Sequence, residues 1–292
     1  MSILATGLTD GMLIFLVASG LTLILGVMGV VNFAHGGFFV LGAYLAYELL
    51  GGVVRSTWVF VLLVLVAALL TAVVGLVSER VLFRRLYRLP EISTLLGTYA
   101  LLLILQGGVQ LIWGQDPRTQ PQPAELTQAV GIGSAHVPRY SILVVIAGLL
   151  TVVGLQLLIK RSSFGRQLSA VAEDRYMAGL LGINVNRVFA VTFAVGIFLA
   201  GLGGGLAGPT LSMVPDIAVT FILQAFAVVI VGGFGSIIGS LIAALVLGLM
   251  HAYLVTYAPS LADFSLYLLM AFVLVVRPRG LLGSAAIGQA RA

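Results

Sequence analysis

Long apolar runs separated by short polar stretches occupy the chain from end to end. A helix needs about 20 apolar residues to cross a hydrocarbon layer about 30 Å thick, and most of these runs have that length. In order they cover 8–30, 33 or 37 to 50, 58–77, 92–113, 140–159, 188–206, 217–231, 237–257 and 264–276. Taken together they predict nine crossings, or eight if 8–30 or 217–231 does not fully cross. The longest polar stretch, 114–139, contains four prolines and charges of both signs (Asp116, Arg118, Glu125, Arg139). Stretch 207–216, with Pro209, Pro215 and Asp216, reads as a loop or re-entrant turn.

Charge fixes which ends of these runs face inward. Arg80, Arg84, Arg85 and Arg88 form one basic group, and Lys160, Arg161, Arg166, Arg175 and Arg187 a second. Arg277, Arg279 and Arg291 form a third. All three fall at segment ends that alternate onto one side, the pattern of cytoplasmic loops in inner membranes. Stretch 114–139 is poor in basic residues for its length and belongs outside. The first Arg or Lys is Arg55, so no basic n-region of a signal peptide is expected. Nothing then holds the first segment's start inside. The expectation is a bacterial inner (plasma) membrane protein, multi-pass, with its N-terminus outside and its C-terminus cytoplasmic.

Composition agrees. Of 292 residues, 60% are hydrophobic and 9% charged, against roughly 25% charged in a soluble domain. The net charge of +5 is gathered at the segment ends, which argues for a bilayer and against nucleic acid. The absence of cysteine removes disulfides, thiolate nucleophiles and Cys-ligated metals. The expected fold is all-α: one polytopic transmembrane domain over 1–292 with 8–9 transmembrane helices, at least one of them broken or re-entrant.

The inner stretch 160–187 reads KRSSFGRQLSAVAEDRYMAGLLGINVNR. Charged side chains cost about 2.5–3.5 kcal/mol each at a helix centre in the membrane, so this stretch lies in the cytoplasm. Within it, 166–181 has helical spacing: Leu168, Val171, Ala172, Tyr176 and Leu180 share one face, with Arg166 and Glu173 on another. Gly182 stands where a C-terminal cap belongs. A short amphipathic surface helix of this kind suits docking to a soluble partner.

Few residues in the spans carry chemistry. The stretch 26–42, GVMGVVNFAHGGFFVLG, places Asn32 and His35 among apolar residues, with Gly29, Gly36 and Gly37 weakening the helix. One reading puts a broken helix here, with freed backbone groups, Asn32 and His35 near a translocation path. The other has the two side chains only capping the break and bonding neighbouring helices. Thr98, Tyr99, Gln106, Gln110 and Gln224 are further polar candidates, with hydrogen bonding between helices as the plainer role for each. His136 and His251 have no second ligand at metal-binding spacing, and no metal site is expected. GGGLAG at 203–208 fits a dinucleotide fingerprint literally, but it ends an apolar helix with no preceding strand, so helix packing accounts for it better. GxxxG spacing recurs at Gly7/Gly11, Gly201/Gly205, Gly204/Gly208 and Gly235/Gly239, which lets helix backbones approach closely. A GGF triplet at 36–38 recurs at 232–234, a faint echo between two halves. Walker A, HExxH and GxSxG sequences are absent. Without a carboxylate central to any span, an external energy source fits better than an ion gradient.

Four blocks carry a resemblance. GLTLILGVMGVVNFAHGGFFVLGAYLAY (20–47) is similar to the first block of the bacterial branched-chain amino acid ABC transporter permeases. FGRQLSAVAEDRYMAGLLGINVNRVFAVTFAVGIFLAGLGGGLAG (164–208) resembles their cytoplasmic coupling loop and the helix after it. VVIVGGFGSIIGSLIAALVLG (228–248) and VRPRGLLG (276–283) resemble their later blocks. Urea and short-chain amide permeases have very similar blocks. The resemblance implies a subunit importing branched-chain or other hydrophobic amino acids by alternating access, and not an enzyme, since ATP is used by partner subunits. The implied partners are a second homologous permease, two cytoplasmic ATP-binding subunits and a periplasmic substrate-binding protein. Arg166, Ala172, Glu173, Asp174 and Gly182 would couple to the ATPase, and Asn32, His35, Gly36, Thr98, Gln106 and Gln224 would be candidates for the substrate pathway. A self-sufficient carrier or channel is the alternative of a different class.

Overall fold

The computed structural model describes residues 2–52, 56–87, 89–132 and 135–283; Arg55, Arg88 and Arg291, assigned above from sequence, lie outside them. The helices are α1 (Ser2–Met28), α2 (Ala34–Leu50), α3 (Thr57–Ser78), a π-helical turn (Glu79–Phe83) running into α4 (Arg84–Leu86), and α5 (Glu91–Trp113). They continue with α6 (Ala124–Thr127), α7 (Arg139–Arg161), α8 (Ser163–Glu173), α9 (Arg175–Leu180), α10 (Val185–Ala207) and α11 (Ile217–Gly232). Finally come α12 (Ile237–Tyr257), α13 (Pro259–Ala262) and α14 (Ser265–Val276). Six helical stretches are long and apolar enough to cross a membrane: 3–28, 57–86, 91–113, 139–161, 185–207 and 237–257. Ile217–Gly232 and Ser265–Val276 are shorter apolar helices. The protein is therefore an all-α polytopic membrane fold. A small hairpin, β1 (Ala129–Ile132) against β2 (Ala135–Pro138), lies in the polar loop.

The hub is α1, which is 89% buried against 22% for α5 and 17% for α7. Hydrocarbon offers no hydrophobic drive between helices, so close van der Waals contact must hold them together. Glycine makes that possible. A methyl added at Gly7 or Gly11 would collide with the backbone of α12 near Leu249 and Ala244. One at Gly20 would strike the carbonyl of Gly196 on α10. Between α2 and α10, Gly42 lies on the backbone of Gly201, and Gly204 on the carbonyl of Phe39. Thr22 and Ser240 add a buried hydroxyl pair at 2.7 Å between α1 and α12.

Other ends are closed by local bonds. Leu281 and Leu282 return after α14 and donate to the carbonyls of Val231 (2.8 Å) and Gly232 (3.1 Å), satisfying the exposed end of α11. The polar loop is pinned as well. Arg118 and Met213 exchange backbone bonds of 3.0 and 2.8 Å, and the Gln120 amide donates to Gly205 at 2.9 Å.

Three sequence expectations change. The third span does not end near residue 77: helix continues through Glu79–Phe83 to Leu86, because the π turn keeps Phe83 and Leu86 in the core. Glu79, two residues past that expected end, is correspondingly wholly buried and faces Arg84 at 3.4 Å. The expected single helix over 166–181 is two helices, α8 and α9, broken at Asp174.

Replacing Gly204 by Val should separate α2 from α10 and cost about 1–3 kcal/mol, the range for overpacking. Gly154→Ala, where the added carbon meets nothing within 4 Å, should leave the unfolding midpoint in detergent unchanged. Equal midpoints for the two variants would refute the close-packing account.

Candidate functional site

Between α1 and α2 the chain leaves the helix over residues 29–33. Gly29 takes the left-handed φ of 65° that starts the break, and the chain then climbs back beside α1. His35 Nε2 meets the carbonyl of Val17 at 2.9 Å, about 16 Å short of the end of α1 at 1.5 Å per residue. Irregular backbone at such depth survives only where protein or water satisfies it. Thr98 on α5 does so: its hydroxyl accepts from Phe33 N (3.3 Å) and lies 3.3 Å from the Val31 carbonyl and 2.9 Å from that of Leu95. Within the elbow, His35 N bonds the Asn32 carbonyl and Gly36 N that of Phe33, both at 3.3 Å.

The polar candidates of this region separate into two sets. Asn32 and His35 are fully buried. Both Asn32 amide atoms and His35 Nδ1 lack a protein partner among the described residues. Gly36 packs on the carbonyl of Ala218 in α11, where a side chain would not fit. The second set is half-buried. Gln106 on α5 donates to Asp216 Oδ1 at 2.5 Å, joining α5 to the start of α11. The Oε1 atoms of Gln106 and Gln224 are buried and have no protein partner among the described residues. Phe33 lies between the rings of Tyr99 (6.2 Å) and Phe226 (5.2 Å). The elbow, α5 and α11 thus form one face on which aromatic rings and amides alternate. Such a face can hold an apolar side chain on its rings and zwitterionic groups on its amides.

Sequence reasoning missed Asp216 as a partner of Gln106, and Phe33 and Phe226 as ring neighbours. Asp216 after Pro215 at the start of an apolar run was a legible helix-start signal; the ring contacts had none.

The second region is α8–α9, at the end of α7. The Ser162 hydroxyl accepts from Gly165 N at 2.8 Å and caps α8. Gly165 packs so closely on the carbonyls of Leu158 and Ile159 that any side chain would collide. Leu168 and Val171 are buried beneath α8. Asp174 is extended (φ −149°, ψ 105°), and its carboxylate accepts from Tyr176 N (2.8 Å) and Met177 N (3.0 Å), capping α9. An aspartate there competes with the helix for backbone donors, which explains the break. Gly182, at φ 83°, ends α9 in a Schellman motif: Ile183 N bonds Ala178 O (3.1 Å) and Gly182 N bonds Gly179 O (3.0 Å).

The break reorients the apolar face. Leu168 and Val171 point inward, whereas Ala172 is exposed. Tyr176, Met177, Leu180 and Leu181 are also exposed, at 72%, 56%, 65% and 81%. The expected single face joining Leu168 to Leu180 is therefore split in two. Arg166 and Glu173 are exposed beside it. Exposed apolar side chains beside charge suit a contact surface for protein or membrane.

A multi-pass helical membrane protein, with an irregular elbow between two packed helices and an exposed apolar patch on a surface helix pair, has the build of a transport permease. A family model described as "Branched-chain amino acid transport system / permease component" matches residues 3–276. The chain belongs to this family. It is 32% identical to the high-affinity branched-chain amino acid transport system permease protein LivH of Salmonella typhimurium, over 95% of this chain and 93% of that protein. Identity to the corresponding permease protein BraD of Pseudomonas aeruginosa is 32%, covering 96% and 94%. The ribose import permease protein RbsC of Haemophilus influenzae is a more distant relative, 25% identical over 81% of this chain and 72% of that protein. Among solved structures, PsaBC from Streptococcus pneumoniae in complex with Fab shares the fold, with a TM-score of 0.50 and 12% identity, covering 94% of this chain and 91% of that one.

Thr98→Val keeps the shape but removes the hydroxyl that both elbow groups share. It should cost about 1–3 kcal/mol for each buried group left unpaired, whereas Thr98→Ser should cost much less. Thermal unfolding of both variants in detergent checks this, and a valine variant as stable as the wild type would contradict it.

Proposed function

We propose that this chain is the membrane-spanning subunit of an ATP-driven importer for branched-chain or similar hydrophobic amino acids. Family membership supports the class, and the names of the 32% identical relatives support the substrate. The observation that carries the mechanism is the α8–α9 pair, whose Tyr176, Met177, Leu180 and Leu181 project from the basic end of the fold. In this reading two ATP-binding subunits dock on that patch, one on this chain and one on a second, homologous permease. A periplasmic binding protein delivers ligand on the opposite side.

The topology follows from the basic groups. With Arg80, Arg84 and Arg85, the 160–187 stretch, and Arg277 and Arg279 all cytoplasmic, nine crossings place the N-terminus outside and the C-terminus inside. In that count α2, α11 and α14 each cross, the short α14 aided by α13. ATP is bound by the partner subunits, and this chain needs no cofactor of its own.

The substrate path runs along the face of the elbow, α5 and α11, closed by the second permease. Phe33, Tyr99 and Phe226 receive the apolar side chain, and Gln106 and Gln224 meet the ligand's charged ends through amide dipoles. Asn32, His35 and Gly36 hold the elbow in place behind it. Alternating access then moves α5 against α11 about this point, and the Gln106–Asp216 bond is made in one state and broken in the other.

Leu180→Asp places a charge in the docking patch without touching the caps of α9. It should release the ATP-binding subunit on co-purification and lower leucine uptake at least about tenfold, equivalent to about 1.4 kcal/mol. Asp174→Arg loses the α9 cap and should have the same effect with the protein still membrane-inserted. Unchanged uptake in both variants would overturn the assignment.

A further inference from the structure

Apart from the elbow face, α3 and α10 line an open groove of about 750 Å³. Its upper walls are apolar: Leu69 and Leu76 on one side, Val191, Val195 and Phe198 on the other. Leu69 is 56% exposed and Val191 37%. Its lower end is basic and polar, with Arg80 and Arg84 on the α3 side and Asn184, Asn186 and Arg187 on the other. Among the described residues Glu79 is the acid that offsets these three guanidinium groups, pairing with Arg84 from a buried position at 3.4 Å. The π turn accounts for that pairing, since a residue five positions on stacks over Glu79. Arg80 and Arg187 are exposed, and among the described residues neither has an acidic partner within ion-pair distance. The groove also receives the start of α10, whose N-terminal dipole is positive.

We infer that this groove binds an anionic phospholipid of the inner leaflet, its phosphate between Arg80, Arg84 and Arg187 and an acyl chain along Leu69, Leu76, Val195 and Phe198. The inference rests on the membrane placement proposed above and not on the substrate or the energy source. Two features favour lipid over a protein partner. The apolar walls extend about 16 Å from Arg80 toward the bilayer centre at 1.5 Å per residue, a depth that a soluble subunit does not reach. The charge sits where the chain would meet the headgroups, and basic pockets between helices on the cytoplasmic side suit anionic headgroups. Asparagine amides beside the guanidinium groups can bond the remaining phosphate or glycerol oxygens.

Native mass spectrometry of the full chain with its partner subunits, in neutral detergent with added dioleoyl phosphatidylglycerol or dioleoyl phosphatidylcholine, tests this. The wild type should retain phosphatidylglycerol in preference to phosphatidylcholine. Arg80→Gln combined with Arg187→Gln should lower that retention about tenfold or more. Ala194→Trp, which fills the apolar cleft and leaves the charges alone, should lower it as well, so either variant decides if the other fails to fold. Undiminished phosphatidylglycerol in a folded variant would overturn the proposal. So would equal retention of the two lipids, or competition by glycerol 3-phosphate alone at the lipid's own concentration. Loss of the ATP-binding subunit from the double variant with lipid content unchanged would also overturn it, giving the groove to a protein partner.

Discussion

Backbone amides and carbonyls at membrane depth have no water to turn to, and an unpaired one costs several kcal/mol. That constraint shapes this fold around the elbow at residues 29–33. Here the chain leaves α1, turns back beside it and begins α2 against the middle of its neighbour, with the Val17 carbonyl bonded to His35. The freed groups are met by one hydroxyl, Thr98, from a different helix. Position and partner are thus coupled: α5 cannot shift against the elbow without exposing backbone. An element that bridges helices in this way suits a protein that alternates between discrete arrangements rather than deforming continuously.

Glycine supplies the complementary requirement. With α1 surrounded on several sides, the helices around it can close only where side chains are absent, at Gly7 and Gly11 on α12, Gly20 on α10, and Gly42 and Gly204 between α2 and α10. The inner hub of α1, α10 and α12 is therefore tight and apolar. The periphery, α5 and α7 above all, is less buried and presents leucine and isoleucine outward.

Much of this was legible in the sequence. Apolar runs located the helices within a few residues, because hydrocarbon imposes one length and one composition. Gly29, Asn32 and His35 marked the elbow, since no uninterrupted membrane helix needs them. The failures have physical causes. The third span was cut short because the arginines that follow it read as solvated, whereas the π turn buries Glu79 beside Arg84. Helical spacing ran straight through Asp174, because aspartate is tolerated inside a helix and periodicity cannot see that its carboxylate prefers the next helix's amides. The candidates Asn32, His35, Gly36, Thr98, Gln106 and Gln224 are gathered around one elbow, yet only the structure separates those behind it from those on its open face.

The central claim is that this polypeptide forms a path and has no motor of its own. Labelled leucine uptake into proteoliposomes tests it directly, comparing the purified chain with the chain assembled with a second permease, ATP-binding subunits and binding protein. The account predicts uptake only in the assembly, and only with ATP on the side that α8 and α9 face. Uptake by the chain alone, or uptake driven by an ion gradient without ATP, would contradict it.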